Sequence, residues 1–174
     1  PPGNFMEVKS PINYMGCKEK HMEEILKIPV SLPALKSAEN QVFYDVFTGS
    51  GCVYLNVVVN LFFKKIIAND TLTPLMAIHW EMLHGGKKEF FKKTAELSLP
   101  TKNSQEEYLK LRTSYNAEPT PEKLLALIWS CNSNMMRFNN KGEFNQTWGK
   151  RCYNEQKEKI INNLYQTLNK AVIK

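Results

Sequence analysis

Between Ser133 and Arg151 runs the block SNMMRFNNKGEFNQTWGKR, in which four cations (Arg137, Lys141, Lys150, Arg151) alternate with three aromatics (Phe138, Phe144, Trp148). Ser133, Asn134, Asn139, Asn140, Asn145, Gln146 and Thr147 add amides and hydroxyls. Cations neutralise phosphates, arginine and amide side chains pair with base edges, and aromatic or Met side chains wedge between bases. The bland reading of such a segment is a solvated loop with ordinary positive charge; the chemical reading is a nucleic-acid reader. From Trp129 to Lys159 six Lys/Arg stand against three Glu, so a net +3 of the whole chain's +6 is concentrated here.

A second group lies nearer the N-terminus. The loop Thr48-Gly-Ser-Gly51 leaves a strand and enters a helix, and Asp70 follows Gly51 by 19 residues. That order puts backbone N–H groups at a helix N-terminus, where glycine allows a ligand close approach. A carboxylate at the end of the next strand then suits ribose hydroxyls. Asp45, on the first strand, is a further polar group facing the same crevice. Without Asp70, a plain turn with two glycines would explain the loop equally well.

These side chains need elements to position them. Val42 to Phe47 reads as a buried strand by its length and its β-branched and aromatic content, Cys52 to about Phe62 as a helix, and Lys65 to Ala68 as a second strand. Together they form one right-handed βαβ unit of a parallel sheet. Upstream, Met22, Ile25 and Leu26 mark one face of a short helix that Pro29 and Pro33 end. Downstream the texture is helical: Leu72 to Leu83, stopped by Gly85-Gly86, then Phe90 to Leu97, Gln105 to Tyr115, and Glu122 to about Ser130. Met76, Trp80 and Met82 sit in the first of these as core residues. The polar block makes a hairpin, 131–152, around Lys141-Gly142. A closing helix from Glu155 to about Leu168 carries Ile160, Ile161, Leu164 and Leu168, and 171–174 read as the opening of a strand.

The bulk numbers are permissive. At 174 residues and 43% hydrophobic content the chain can bury one core, with room for an inserted subdomain. Cys17, Cys52, Cys131 and Cys152 lack zinc-site spacing, and a reducing compartment is the simpler setting for them. His21, His79 and His84 form no ligand pair and read as surface or packing residues. The most apolar stretch, Leu55 to Phe63, is broken by Asn56 and Asn60 and falls far short of the roughly 20 residues that span a bilayer. With no membrane segment or signal peptide visible, a cytoplasmic location is expected.

Four segments also resemble one family. Lys9 to Lys18 (KSPINYMGCK), Phe43 to Asn56 (FYDVFTGSGCVYLN), Ile66 to Asp70 (IIAND) and the Ser133–Arg151 block are similar, in order, to motifs of the Dam-type (D12 class) DNA adenine-N6 methyltransferases. The resemblance implies an α/β fold: a partial Rossmann-like methyltransferase sheet with an inserted helical DNA-recognition subdomain and hairpin. Residues 1–84 would form the cofactor-binding part and 85–170 the recognition subdomain. It implies S-adenosylmethionine as cofactor, contacted by Tyr14, Lys18 and Asp70, with Phe47, Gly49 and Gly51 shaping the loop beneath it. It implies double-stranded DNA with a GATC-like site as partner. Arg151 would read the guanine, Ser133, Asn134, Met135 and Arg137 would contact neighbouring pairs, and Lys141 and Lys150 would meet phosphates. Cys17 stands where the family has glycine.

The family's Asp-Pro-Pro-Tyr motif, which holds the target amine and stacks on the flipped base, does not occur in these 174 residues. The strand that carries it would lie beside the first strand, so an open strand edge is expected unless these residues are part of a larger methyltransferase, to be covered by another polypeptide or by self-dimerisation. Three readings follow: the cofactor-binding and target-recognition portion of a restriction-modification adenine methyltransferase, an inactive DNA-binding or interaction module derived from one, or one subunit of a split enzyme.

Overall fold

The computed structural model describes residues 5–31, 40–84 and 87–172. The chain divides into two compact units, one formed by 1–11, 16–71 and 156–174, the other by 12–15 and 72–155.

In the first unit, α1 (Met22–Ser31) precedes β1 (Val42–Asp45), α2 (Cys52–Asn60) and β2 (Lys65–Ala68), and α7 (Glu155–Val172) closes the chain. The strands pair in parallel, Val42 opposite Lys65 through Asp45 opposite Ala68, around the crossover α2. This is the expected βαβ unit, shorter and barer than its composition predicts. The Val42–Phe47 pattern reads as a buried strand, yet pairing stops at Asp45, and Tyr44 and Phe47 are 62% and 87% exposed. The ladder ends because the chain turns: Thr48 N–H reaches across to the Asn69 carbonyl at 2.9 Å and Thr48 Oγ1 bonds the Asp45 carbonyl. Among the described residues, β1 has a strand neighbour on one edge only. The apolar weight sits on α2 instead, where Tyr54, Leu55, Val57 and Val59 are buried.

Asn56 and Asn60 interrupt that apolar run for a reason. Each amide forms a matched pair of bonds with the N-terminal segment, Asn56 with Val8 N and O and Asn60 with Met6 N and O, all within 2.8–2.9 Å. Two side chains four residues apart lie on one helix face, so they satisfy an extended backbone as a neighbouring strand would. Three helix ends differ from expectation. Helix α1 runs past Pro29 to Ser31; Pro33 lies outside the described residues. Helix α2 stops at Asn60 rather than Phe62, where Leu61 turns extended. Ala171 and Val172 continue α7 instead of opening a strand, extending a helix whose Ile161, Leu164 and Leu168 are buried at helical spacing; 173–174 lie outside the described residues.

The second unit is helical: α3 (Thr73–His84), α4 (Lys87–Ser98), α5 (Gln105–Ala117) and α6 (Pro121–Ser130). The Gly85-Gly86 stop lies outside the described residues. Thr120 starts α6, its hydroxyl accepting the Lys123 N–H ahead of Pro121 at the first helical position. From Leu124 to Ser130 every residue of α6 is buried, with α3, α4 and α5 packed around it. Trp129 stacks on Phe91 and tilts against Tyr153. Trp80 corrects its reading as a core residue: it is 63% exposed, its ring 4.4 Å from that of His84, while Met82 beside it is buried. Apolar residues all around a helix do not by themselves distinguish the face that meets a core from its flank. No helix among the described residues is long and apolar enough to cross a membrane.

Candidate functional site

The loop between β1 and α2 is closed by its own carboxylates. Gly49 and Gly51 have φ of 50° and 81°, the left-handed region where glycine carries no Cβ penalty. The Gly49 N–H donates to Asp70 Oδ2 at 3.0 Å, so the two residues the spacing pairs do meet. Gly51 has no side chain to cap α2, and Asp45 does so from the strand, its Oδ2 accepting the Tyr54 N–H at 3.2 Å. Ser50 Oγ takes the Cys52 N–H at 3.4 Å. The amides of Gly49, Cys52 and Tyr54, which sequence logic offers to a ligand, therefore have partners within the loop.

Asp45 accordingly caps a helix rather than lining an open crevice. Burial, and then the charge of Asp70, push its carboxyl above the ordinary range, against the pull of the Tyr54 N–H. What faces outward is different: the Phe47 ring, almost fully exposed, and the half-buried Asp70 carboxylate at the end of β2. An exposed aromatic ring next to the glycine loop in sequence and a carboxylate bonded to that loop are the group types that suit an aromatic base and a hydroxylated sugar, so the residues fit a nucleoside-containing cofactor. Lys18 is exposed and its Nζ bonds the Gly16 carbonyl at 3.0 Å. Tyr14 is exposed and belongs to the second unit. Cys17 lies against the loop, its Sγ 3.3 Å from Ser50 Oγ.

The hairpin of the second unit begins where α6 ends. Ser133 and Asn134 take φ of 57° and 51°, and Lys150 takes 54°. Such values are uncommon outside glycine and Asn, and they cluster where a chain must be aimed. Two isolated antiparallel bridges, Cys131–Trp148 and Phe138–Phe144, define the arms. Asn139 builds the turn, its Oδ1 accepting the N–H groups of Lys141 and Glu143 and its Nδ2 donating to Glu143 Oε2. Gly142, at φ 78°, completes it and leaves Lys141 exposed at the tip.

Two bridges are too few to hold a hairpin in water, and the support comes from elsewhere. Tyr108, Arg112 and Asn116 form one stripe of α5, each four residues on from the last. The Tyr108 hydroxyl and Arg112 Nη1 donate to the Gln146 carbonyl, at 2.8 and 3.2 Å, and Asn116 bonds both N and O of Phe144. Trp148 Nε1 donates to the Thr101 carbonyl at 2.9 Å. Gly149 N–H reaches Ser130 O, so close to α6 that a Cβ there would lie 2.3 Å from the Cys131 carbonyl oxygen. Phe144 is buried against Tyr115 and Phe138. Phe144 and Trp148 are thus anchors rather than free wedges, because the short hairpin needs apolar and polar fastening to the helices.

With the backbone held, the polar groups face out. Ser133, Arg137, Lys141, Lys150 and Arg151 are exposed, and Asn134 and Met135 are half-buried. Both arginines are braced by asparagines: Arg137 Nε and Nη2 bond the Asn145 side chain and carbonyl, each at 2.9 Å, and Arg151 Nη1 bonds Asn134 Oδ1 at 3.2 Å. A guanidinium has five N–H donors in a planar fork, so such bracing orients it while leaving donors for a ligand. The seven residues named from the sequence therefore sit on one hairpin. Its supports Asn116, Tyr108 and Arg112 were not legible as site residues; their only trace is the i, i+4, i+8 spacing of three polar-capable side chains. Among the described residues, no group of three or more His, Cys, Asp or Glu could hold a metal ion.

The D12 class N6 adenine-specific DNA methyltransferase family model matches residues 14–174. The chain is similar to modification methylase StsI of Streptococcus sanguinis, 31% identical over 168 residues that cover 94% of this chain and 24% of that protein. It is also similar to type II methyltransferase M.FokI of Planomicrobium okeanokoites, 29% identical over 82% of this chain and 21% of the relative. Type II methyltransferase M.MjaIII of Methanocaldococcus jannaschii is 26% identical over 94% of this chain and 61% of its own length. The chain thus spans a quarter or less of the first two relatives.

Proposed function

Since the chain belongs to the D12 class of N6 adenine-specific DNA methyltransferases, we propose that it carries the S-adenosylmethionine-binding and target-recognition functions of a GATC-directed adenine methyltransferase. The observation that carries this reading is the hairpin: strained and rigidly fastened, it presents Arg137 and Arg151 in braced orientations with Lys141 and Lys150 beside them. Arg151 donates two parallel hydrogen bonds to O6 and N7 of the guanine in the major groove, worth roughly 1–3 kcal/mol of discrimination. Ser133, Asn134, Met135 and Arg137 contact the neighbouring pairs. Lys141 and Lys150 meet phosphates and set register without reading sequence.

On the other unit, Asp70 accepts hydrogen bonds from the ribose hydroxyls, the Phe47 ring packs on the ligand, and Gly49 and Gly51 keep the loop low beneath it. Lys18 adds a cation on this unit, and Tyr14, the other residue that the resemblance assigns to the cofactor, belongs to the second unit. When bound, S-adenosylmethionine supplies a methyl group activated on a sulfonium. Gly49 holds the Asp70 carboxylate through one oxygen and so fixes its aim. Methyl transfer also calls on an Asp-Pro-Pro-Tyr motif, outside these 174 residues. The open edge of β1 is the place for the strand that brings it, from a longer methyltransferase of which these residues are a part or from a second polypeptide.

The test is binding of the purified chain to a short GATC duplex and to a scrambled duplex at fixed near-physiological salt, with and without S-adenosylmethionine. A preference of about tenfold for GATC, worth roughly 1.4 kcal/mol, supports the reading. Equal, salt-sensitive binding to both duplexes means that charge alone is at work and contradicts it.

A further inference from the structure

The first unit brings two thiols together at the start of α2. Cys17 and Cys52 flank the Ser50 hydroxyl, Cys17 through its sulfur and Cys52 through its backbone amide. Ser50 Oγ joins them, 3.3 Å from Cys17 Sγ and 3.4 Å from the Cys52 amide nitrogen. Cys17 is partly exposed and Cys52 is buried, so a small reagent meets Cys17 first. Cys131 and Cys152 are both buried in the second unit, with their thiols on backbone carbonyls at 3.0–3.6 Å.

We infer that Cys17 and Cys52 form a peroxide-reactive pair that closes to an intramolecular disulfide. The inference stands apart from the cofactor reading, because it needs only the two thiols and a peroxide. Their roles differ. Cys17 accepts the S–H of Cys52, which brings its thiol down to about 6, and Ser50 adds a further hydrogen bond. The N-terminal end of α2 favours negative charge at the same place. Burial and the retained proton push Cys52 upward. Cys17 is thus the nucleophile and Cys52 the resolving thiol.

In the first step the Cys17 thiolate attacks one oxygen of hydrogen peroxide. The O–O bond breaks, hydroxide leaves and takes up a proton as water, and Cys17 becomes a sulfenic acid. The Cys52 sulfur then attacks the Cys17 sulfur, the S–O bond breaks, and the oxygen leaves as water with the Cys52 proton. Two thiols and one hydrogen peroxide yield one disulfide and two waters. The new bond ties the residue preceding Lys18 to the first residue of α2, beside Gly49–Gly51.

The experiment treats the fully reduced 174-residue chain with stoichiometric hydrogen peroxide, then blocks remaining thiols and maps peptides by mass spectrometry. The expected product has lost two hydrogens and links the Cys17 and Cys52 peptides, while Cys131 and Cys152 stay blocked as free thiols. Cys52→Ser is expected to stop at a Cys17 sulfenic acid that dimedone traps, and Cys17→Ser to abolish the reaction. Cys17→Ala, which keeps the small volume of the site, serves as the second variant if the serine disturbs folding. Oxidation spread over all four cysteines, disulfides between chains only, or no Cys17–Cys52 link would overturn the inference.

Discussion

The glycine loop of the first unit and the hairpin of the second use left-handed backbone in opposite ways. In the loop the strained positions are Gly49 and Gly51, where positive φ is cheap, and the fastening is local, by Asp45, Ser50 and Asp70. In the hairpin they are Ser133, Asn134 and Lys150, where it costs of order 1–3 kcal/mol each, and the fastening comes from α5 and α6. A loop that closes on itself needs only a few residues of the right type at the right spacing. A hairpin that holds costly conformations needs a buried scaffold, and the fully buried α6 is that scaffold. The two units therefore use their polar side chains differently, one on completing its own turn, the other on bracing exposed arginines.

The largest effect is expected where the hairpin touches that scaffold. Gly149→Ala places a Cβ 2.3 Å from the Cys131 carbonyl oxygen, and backbone on both sides must shift. A loss of about 3 kcal/mol, the upper part of the overpacking range, is expected in urea unfolding, with DNA binding lost alongside. An unchanged midpoint would mean that the hairpin is not seated on α6.

A matched pair of asparagines sharpens the contrast. Asn116→Ala and Asn56→Ala each remove an amide that satisfies one residue's backbone N–H and carbonyl, at Phe144 and at Val8 respectively. Each is expected to cost about 2 kcal/mol, the penalty of unpaired buried polar groups. Only Asn116→Ala should also weaken the preference between duplexes, because it loosens the reader. Equal loss of preference in both variants would erase the distinction between the units.

The smallest effect concerns Asp45. Its folded-state carboxyl is raised by burial above the ordinary value of 3.8, so the folded chain binds that proton more tightly than the unfolded one. The stability it contributes is full below the ordinary value and is lost as pH rises through the raised value. Asp45→Asn keeps an acceptor for the Tyr54 N–H without the charge. The melting temperature of the variant should therefore gain on the parent as pH climbs through the carboxylate range; a constant difference would remove burial as the cause.

Much of this was legible in the chain itself. The βαβ order and the meeting of the glycine loop with Asp70 follow from local spacing, and the helices of the second unit from their periodicity. The seven residues named from the 133–151 block share a hairpin because Lys141-Gly142 marks its turn, while the part Asn139 plays in that turn came only with the structure. What stayed hidden was nonlocal. Nothing near Phe144 announces that Asn116 will bond both its backbone groups, and nothing near Trp80 shows which flank of α3 faces out. The exposure of β1 was hidden for a related reason: strand composition reports what a residue can pack against, and burial depends on which neighbours are there. Asp45 looked like a ligand contact because its role as a remote cap depends on Gly51 lacking a side chain of its own.

The most direct measurement compares a GATC duplex with the same duplex carrying 7-deazaguanine at the target guanine, which removes the N7 acceptor and little else. Affinities are read for the parent chain and for Arg151→Ala at one fixed salt concentration. The expected result is a loss of about tenfold for the parent on the modified duplex, within the range of one bidentate guanine contact, and no further loss for Arg151→Ala. An equal loss for both proteins, or none for the parent, would contradict the assignment of Arg151 as the residue that reads guanine.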